Sequence, residues 1–206
     1  MTLEVWLLFI AVSFVPAISP GPAVFLALSN TLKFGGRATI WSGTGNALGL
    51  FILGFGVALG LGTIMETSAL AFTILKFIGA GYLIWLGIKT WRDKSGLVED
   101  DLNTRPPQKH KLFSTALIVS LTNPKAIVVI LALFPPFMSA EGSALFQATI
   151  LSATYAILCF LNHLMIAMMG GRLKSFMSNI KRIRLVRRVL GATFVSFGAL
   201  LASAQR

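Results

Sequence analysis

The sequence predicts an all-α integral membrane protein: six transmembrane helices in a 3+3 inverted repeat, with a broken first helix in each half. Three observations predict it. The chain is 55% hydrophobic and only 12% charged, whereas soluble globular chains carry about 25% charged residues. Apolar stretches long enough to cross a bilayer recur along it, at about 4–30, 39–63, 69–91, 112–138, 144–169 and 187–204. Basic residues fall in every second loop between these stretches.

Span 1 is read as a retained helix and not a signal peptide, because no Lys or Arg precedes Lys33 and the apolar stretch is too long for an h-region. It contains Ser19-Pro20-Gly21-Pro22. Proline lacks a backbone donor and clashes with the preceding turn, so the helix is expected to stop and restart here, with Ser19 as the new N-cap. The loop that follows carries Lys33 and Arg37.

Span 2 is rich in glycine, with Gly45/Gly49 and Gly56/Gly60 at GxxxG spacing. Such pairs let helix backbones approach closely, for packing, for sliding of one bundle on another, or for a homodimer face. Span 3 contains Lys76-Phe77-Ile78-Gly79-Ala80 and Gly87, and span 6 contains Arg188-Val189-Leu190-Gly191-Ala192 and Gly198. With three spans per half, any repeat between the halves is inverted, as in many transporters.

Residues 93–111 read as a polar cytoplasmic linker between a first half at 1–92 and a second at 112–206, all within a single transmembrane domain. Span 4 carries Thr122-Asn123-Pro124-Lys125, a second break at a place comparable to the first. Two helix restarts aimed at the midplane from opposite sides present free N–H groups and partial positive charge to one cavity, which suits an anionic group such as a carboxylate. The alternative reading is a pair of structural proline kinks.

Fifteen of the 18 basic residues lie in or beside the loops after spans 1, 3 and 5. The loops after spans 2 and 4 hold only Glu66 and Glu141. This positive-inside pattern places the odd-numbered loops in the cytoplasm and both termini outside. The net charge of +11 therefore implies headgroup contact and not nucleic acid; the run Lys181–Arg188 is expected to anchor at anionic headgroups. Cys159 is the single cysteine, so a disulfide or CxxC site is excluded, and no cofactor or metal is expected. An enzyme would need a convergent acid–base or nucleophile–base set, and the predicted membrane core lacks an acid.

An ordered set of motifs runs along nearly the whole chain. It comprises Ser19-Pro20-Gly21-Pro22, Gly36-Arg37-Ala38, Gly45-Asn46-Ala47-Leu48-Gly49, Leu75 to Leu83, Asn123-Pro124-Lys125, Gly171-Arg172-Leu173 and Gly191-Ala192. This set resembles the LysE/RhtB family of amino-acid exporters, the lysine and homoserine/threonine efflux proteins. The resemblance implies a multi-pass carrier of the bacterial inner membrane. It would export an amino acid or close derivative by alternating access, driven by the proton-motive force. Cation or heavy-metal export within the same superfamily, and a non-transport scaffold subunit, are the alternative functions. The family pattern also carries an acid in the middle of span 5, where this chain has Cys159 as the counterpart.

The expected substrate-binding residues are Pro20, Gly21, Pro22, Asn46, Asn123, Pro124 and Lys125. An ammonium in mid-membrane costs about 2.5–3.5 kcal/mol, so Lys125 needs a partner, either a substrate carboxylate or a backbone carbonyl. Asn46 is suited to a substrate amino group. His163 titrates in the range a proton carrier needs and is the expected proton-path residue, with a purely structural role as the alternative. Lys76 reads either as part of the exit path or as a side chain snorkelling to the headgroups. Asn46 and Asn162 could each bond a substrate amino group or bond across helices, and for Asn162 packing is the expectation.

Overall fold

A computed structural model describes residues 1–67, 69–92, 107–139, 142–177 and 180–203. All its regular structure is helical. In chain order the helices are α1 (Leu3–Ile18), α2 (Pro22–Phe34), α3 (Gly36–Thr67), α4 (Ala69–Arg92), α5 (Lys109–Thr122), α6 (Pro124–Leu133), α7 (Ala144–Met177) and α8 (Ile180–Ser203). A short 3-10 turn at Pro135–Phe137 follows α6.

Both expected breaks occur. The pair α1–α2 bends by 60° and the pair α5–α6 by 56°. Among the described residues, Gly36–Gly60 of α3 and Ala144–Gly170 of α7 are long and apolar enough to cross a membrane as single helices. Counting each bent pair as one span brings the number to four. Helices α4 and α8 run over the third and sixth expected spans.

Two boundaries differ from expectation. Lys109 to Lys111, read as linker, form the first turn of α5, for which Gln108 in extended conformation is the N-cap; residues 93–106 of the linker lie outside the described residues. The basic run from Lys181 to Arg188 belongs to the first turns of α8 and is not a loop. Its charges do not share one face: Lys181, Arg184 and Arg188 are exposed, while Arg187 is buried.

Local chemistry explains the turns. Gly35 joins α2 to α3 at φ 81°, a left-handed value that glycine adopts at no steric cost. The resulting hairpin is closed by a hydrogen bond between the Thr31 and Thr39 hydroxyls at 2.6 Å, and Thr39 Oγ1 lies 3.1 Å from the Ala27 carbonyl oxygen, to which it can alternatively donate. After the Pro135–Phe137 turn, Gln147 ties the chain to the start of α7. Its Oε1 accepts from Ser139 N at 2.7 Å and its Nε2 donates to Ser139 O at 2.9 Å.

The centre of the bundle is α3, which uses its glycines against two neighbours. Gly45 and Gly49 lie against the backbone of α5 at Phe113 and Leu117, too close for any side chain. Gly43 and Gly54 lie against α7 at Phe160, His163 and Ser152. The register makes α3 parallel to α5 and antiparallel to α7. The second GxxxG pair behaves differently: among the described residues, nothing lies within 4 Å of a Cβ at Gly56 or Gly60. Helices α4 and α8 cross antiparallel, with Gly87 against the backbone of Gly191 and Gly198 against Ala80 and Ile84. Between these elements lies a core that includes the fully buried Phe9, Val129, Ile130, Phe134 and Leu151.

Candidate functional site

The prolines of the first break determine which backbone groups need new partners. In a continuous helix the carbonyl of Pro16 would accept from residue 20 and that of Ile18 from residue 22, and both of those are prolines without an N–H. The chain leaves the helix after Ile18, with Ser19 extended at φ −66°, ψ 134°. The carbonyls stranded at this end find donors on other helices. Lys125 Nζ donates to Ser19 O at 2.7 Å, to Ser19 Oγ at 2.9 Å and to Pro16 O at 3.4 Å. Asn162 Nδ2 donates to Ala17 O at 3.1 Å. A cation at a helix C-terminus also suits the dipole there.

Ser19 is therefore not the N-cap of the restarted helix; it closes α1. The N-cap of α2 is Gly21, extended and without a side-chain cap, and Pro22 is the first helical residue. Gly21 is small for a steric reason. A Cβ at this position would come 2.9 Å from Cδ of Lys125.

The second break follows the expected chemistry more closely. Asn123, pushed into extended conformation by the following proline, ends α5 and caps α6, its Oδ1 accepting from Lys125 N at 3.0 Å. Pro124 takes the first helical position, where a missing N–H loses nothing. This one short turn thus places Lys125 so that its backbone is fixed by Asn123 and its side chain reaches α1.

Both breaks border a single cavity, with about 30 Å3 open to a water-sized sphere. That holds roughly two waters. Pro16, Ser19, Gly21, Ala23 and Val24 line it from the first break, and Asn123, Lys125 and Ala126 from the second. Helix α3 contributes Asn46 and Leu50; α7 contributes Tyr155, Cys159 and His163. Of the expected site residues, Gly21, Asn46, Asn123, Lys125 and His163 thus come together. Pro20 and Pro22 shape the break and are absent from the lining among the described residues. The side chain of Lys76 lies outside the described residues.

Asn46 is 1% exposed, and neither its Nδ2 nor its Oδ1 has a hydrogen-bond partner among the described residues. An amide buried in this way is costly unless a ligand or water comes to it. His163 sits between two carbonyl oxygens, with Nδ1 2.7 Å from Cys159 O and Nε2 3.3 Å from Ala23 O. A neutral imidazole carries one N–H and satisfies one of these oxygens, while the imidazolium donates to both. The ring therefore links α7 to the first turn of α2 in a manner that depends on its proton.

Tyr155 was not among the expected residues. Its signal was present in the spacing: Tyr155, Cys159 and His163 recur every four residues and share one face of α7. Asn162 makes the cross-helix bond expected of it.

Comparison with known proteins gives a consistent picture. The family model described as LysE type translocator matches residues 14–205. The homoserine/homoserine lactone efflux protein of Salmonella typhimurium is 35% identical over 205 residues, covering 100% of this chain and 99% of that protein. An uncharacterized membrane protein of Vibrio cholerae is 34% identical over the full length of both chains. The membrane protein YrhP of Bacillus subtilis is 29% identical over 93% of this chain and 95% of its own length. No solved structure matches the chain.

Proposed function

The chain belongs to the LysE type translocator family, and from that premise we propose that it is a secondary transporter exporting a small amino acid of the homoserine type from the bacterial cytoplasm. The observation that carries this reading is the cavity shared by both helix breaks, with an unpaired buried amide at Asn46. A scaffold subunit has no use for an unsatisfied polar group at its centre.

The reading places the protein in the inner membrane with six spans and both termini periplasmic, following its basic loops. It makes the two halves inverted repeats. The crossing of α4 and α8 supports this, because Gly87 against Gly191 and Ala80 against Gly198 are the contacts that a two-fold axis in the membrane plane would exchange.

In this scheme the substrate carboxylate takes the N–H groups at the starts of α2 and α6, helped by Lys125. The substrate ammonium takes Asn46 Oδ1. The cavity is too small for an amino acid as it stands, so binding draws the two breaks apart. The ammonium of Lys125 then exchanges the carbonyls of α1 for the carboxylate. No carboxylate lines the cavity among the described residues, which favours an uncharged substrate side chain over a cationic one. His163 is the proton carrier of the exchange, in place of an acid at position 159. Its protonation ties α7 to α2 and its deprotonation releases one of the two contacts.

Efflux from cells loaded with amino acids by dipeptide feeding tests this. The expected result is faster export of homoserine or a close analogue, abolished by an uncoupler. Unchanged efflux across a panel of amino acids would overturn the reading and turn attention to cations.

A further inference from the structure

The unpaired polar atoms of the structure continue beyond the cavity. Ser13 of α1 and Ser152 of α7 are each fully buried, and neither hydroxyl has a hydrogen-bond partner among the described residues. Both lie one turn from the cavity in the same direction. Ser13 precedes the lining residues Pro16 and Ala17, and Ser152 precedes Tyr155. This is the direction away from Lys33 at the end of α2 and from Arg172 and Lys174 at the end of α7, towards the periplasm if the carrier reading above holds, on which this inference rests.

One turn further along α1 stands Phe9. It packs edge-to-face on Phe134 at 5.7 Å and on Phe137 at 5.2 Å between ring centroids. Phe9 belongs to the first half, and Phe134 and Phe137 to the second. Ser152 and Phe134 approach the same small residue, Gly54 of α3: a Cβ there would lie 2.9 Å from Ser152 Oγ and 3.1 Å from Phe134 Cζ. Along α1, Ser13 thus stands between the cavity and Phe9, while Ser152 lies beside the aromatic contact that joins the halves.

Alanine would fill either serine position without stranding a hydroxyl, so the hydroxyls need a reason. Each offers one donor and accepting lone pairs, which suits the ammonium, hydroxyl or carboxylate of a small zwitterion and its water. Edge-to-face rings seal such a passage and separate without breaking a hydrogen bond.

We propose that Ser13 is a polar station on the exit side of the cavity, and that Phe9, with Phe134 and Phe137 and with Ser152 beside them, is the gate that closes it. Substrate leaves the breaks, meets the Ser13 hydroxyl, and passes out past Ser152 when the halves part at the aromatic contact.

The test uses the full chain in spheroplasts, with Ser13→Cys and Ser152→Cys made singly and a membrane-impermeant thiol reagent added outside. The unsubstituted protein and each gate variant alone, all retaining Cys159 in the cavity lining, give the background to be subtracted. Each new thiol should react slowly with the gate intact. It should react at least about tenfold faster with Phe9→Ala, since a closed state of this kind opens about 10% of the time or less. Phe137→Ala is the second gate variant should Phe9→Ala fail to insert. Excess homoserine should slow the labelling. Homoserine efflux is measured in parallel. If the protein exports homoserine and neither thiol responds to either gate variant, the exit station is wrong and the carrier reading stands. If the thiols respond to the gate but homoserine is not exported, the passage stands and the substrate assignment falls.

Discussion

The ammonium of Lys125, at the start of α6, closes the end of α1 by donating to both the carbonyl and the hydroxyl of Ser19, at 2.7 and 2.9 Å. One broken helix thus completes the other. Lys125→Met should strand the Ser19 and Pro16 carbonyls, and each buried unsatisfied group costs about 1–3 kcal/mol. Homoserine efflux should fall by about tenfold or more, and the melting temperature of the detergent-purified protein should drop. Unchanged efflux would remove Lys125 from the site.

Gly21→Ala tests the same contact from the opposite side. The added methyl would sit 2.9 Å from Lys125 Cδ, and overpacking of this kind costs about 1–3 kcal/mol. Gly56→Ala is the control, because nothing among the described residues lies within 4 Å there. Efflux should collapse in the first variant and persist in the second. Equal effects would mean that the approach of Lys125 does not explain Gly21.

Asn46→Leu should separate stability from function. Removing an unpaired buried amide relieves its desolvation, so the melting temperature should hold or rise. Export should be lost. A marked fall in melting temperature would show that Asn46 has a structural bond and is not waiting for substrate.

His163→Gln keeps a side-chain donor and removes the titration. Uphill efflux driven by a proton gradient should be lost, while exchange of labelled for unlabelled homoserine in proteoliposomes should survive. Loss of both activities together would make His163 a structural residue. Full retention of uphill efflux would place the coupling proton elsewhere.

The parts of this architecture legible in the sequence were those set by covalent constraints. Pro20, Pro22 and Pro124 announce their breaks because a missing N–H acts locally. The expectation that both breaks meet one cavity rested on reading three spans per half, and both breaks do line one cavity. What escaped was set by partners distant in the chain. Ser19 reads as a helix start from its neighbours, and only the position of Lys125, 106 residues away, makes it a helix end. Tyr155 looks like an ordinary apolar aromatic until α7 is placed beside the breaks. Similarly, Gly45/Gly49 and Gly56/Gly60 are the same motif in sequence, yet the first pair packs on α5 and the second meets nothing among the described residues.

The closure of α1 from other helices also dictates an order of assembly. The donors to Ser19 and Ala17 lie 106 and 145 residues later in the chain. At about 5–20 residues per second, synthesis of the first stretch alone takes roughly 5–20 s. Until Lys125 and Asn162 have been made, α1 lacks the donors that meet its Ser19 and Ala17 carbonyls. A chain stalled before Lys125 would hold an α1 whose end it cannot close.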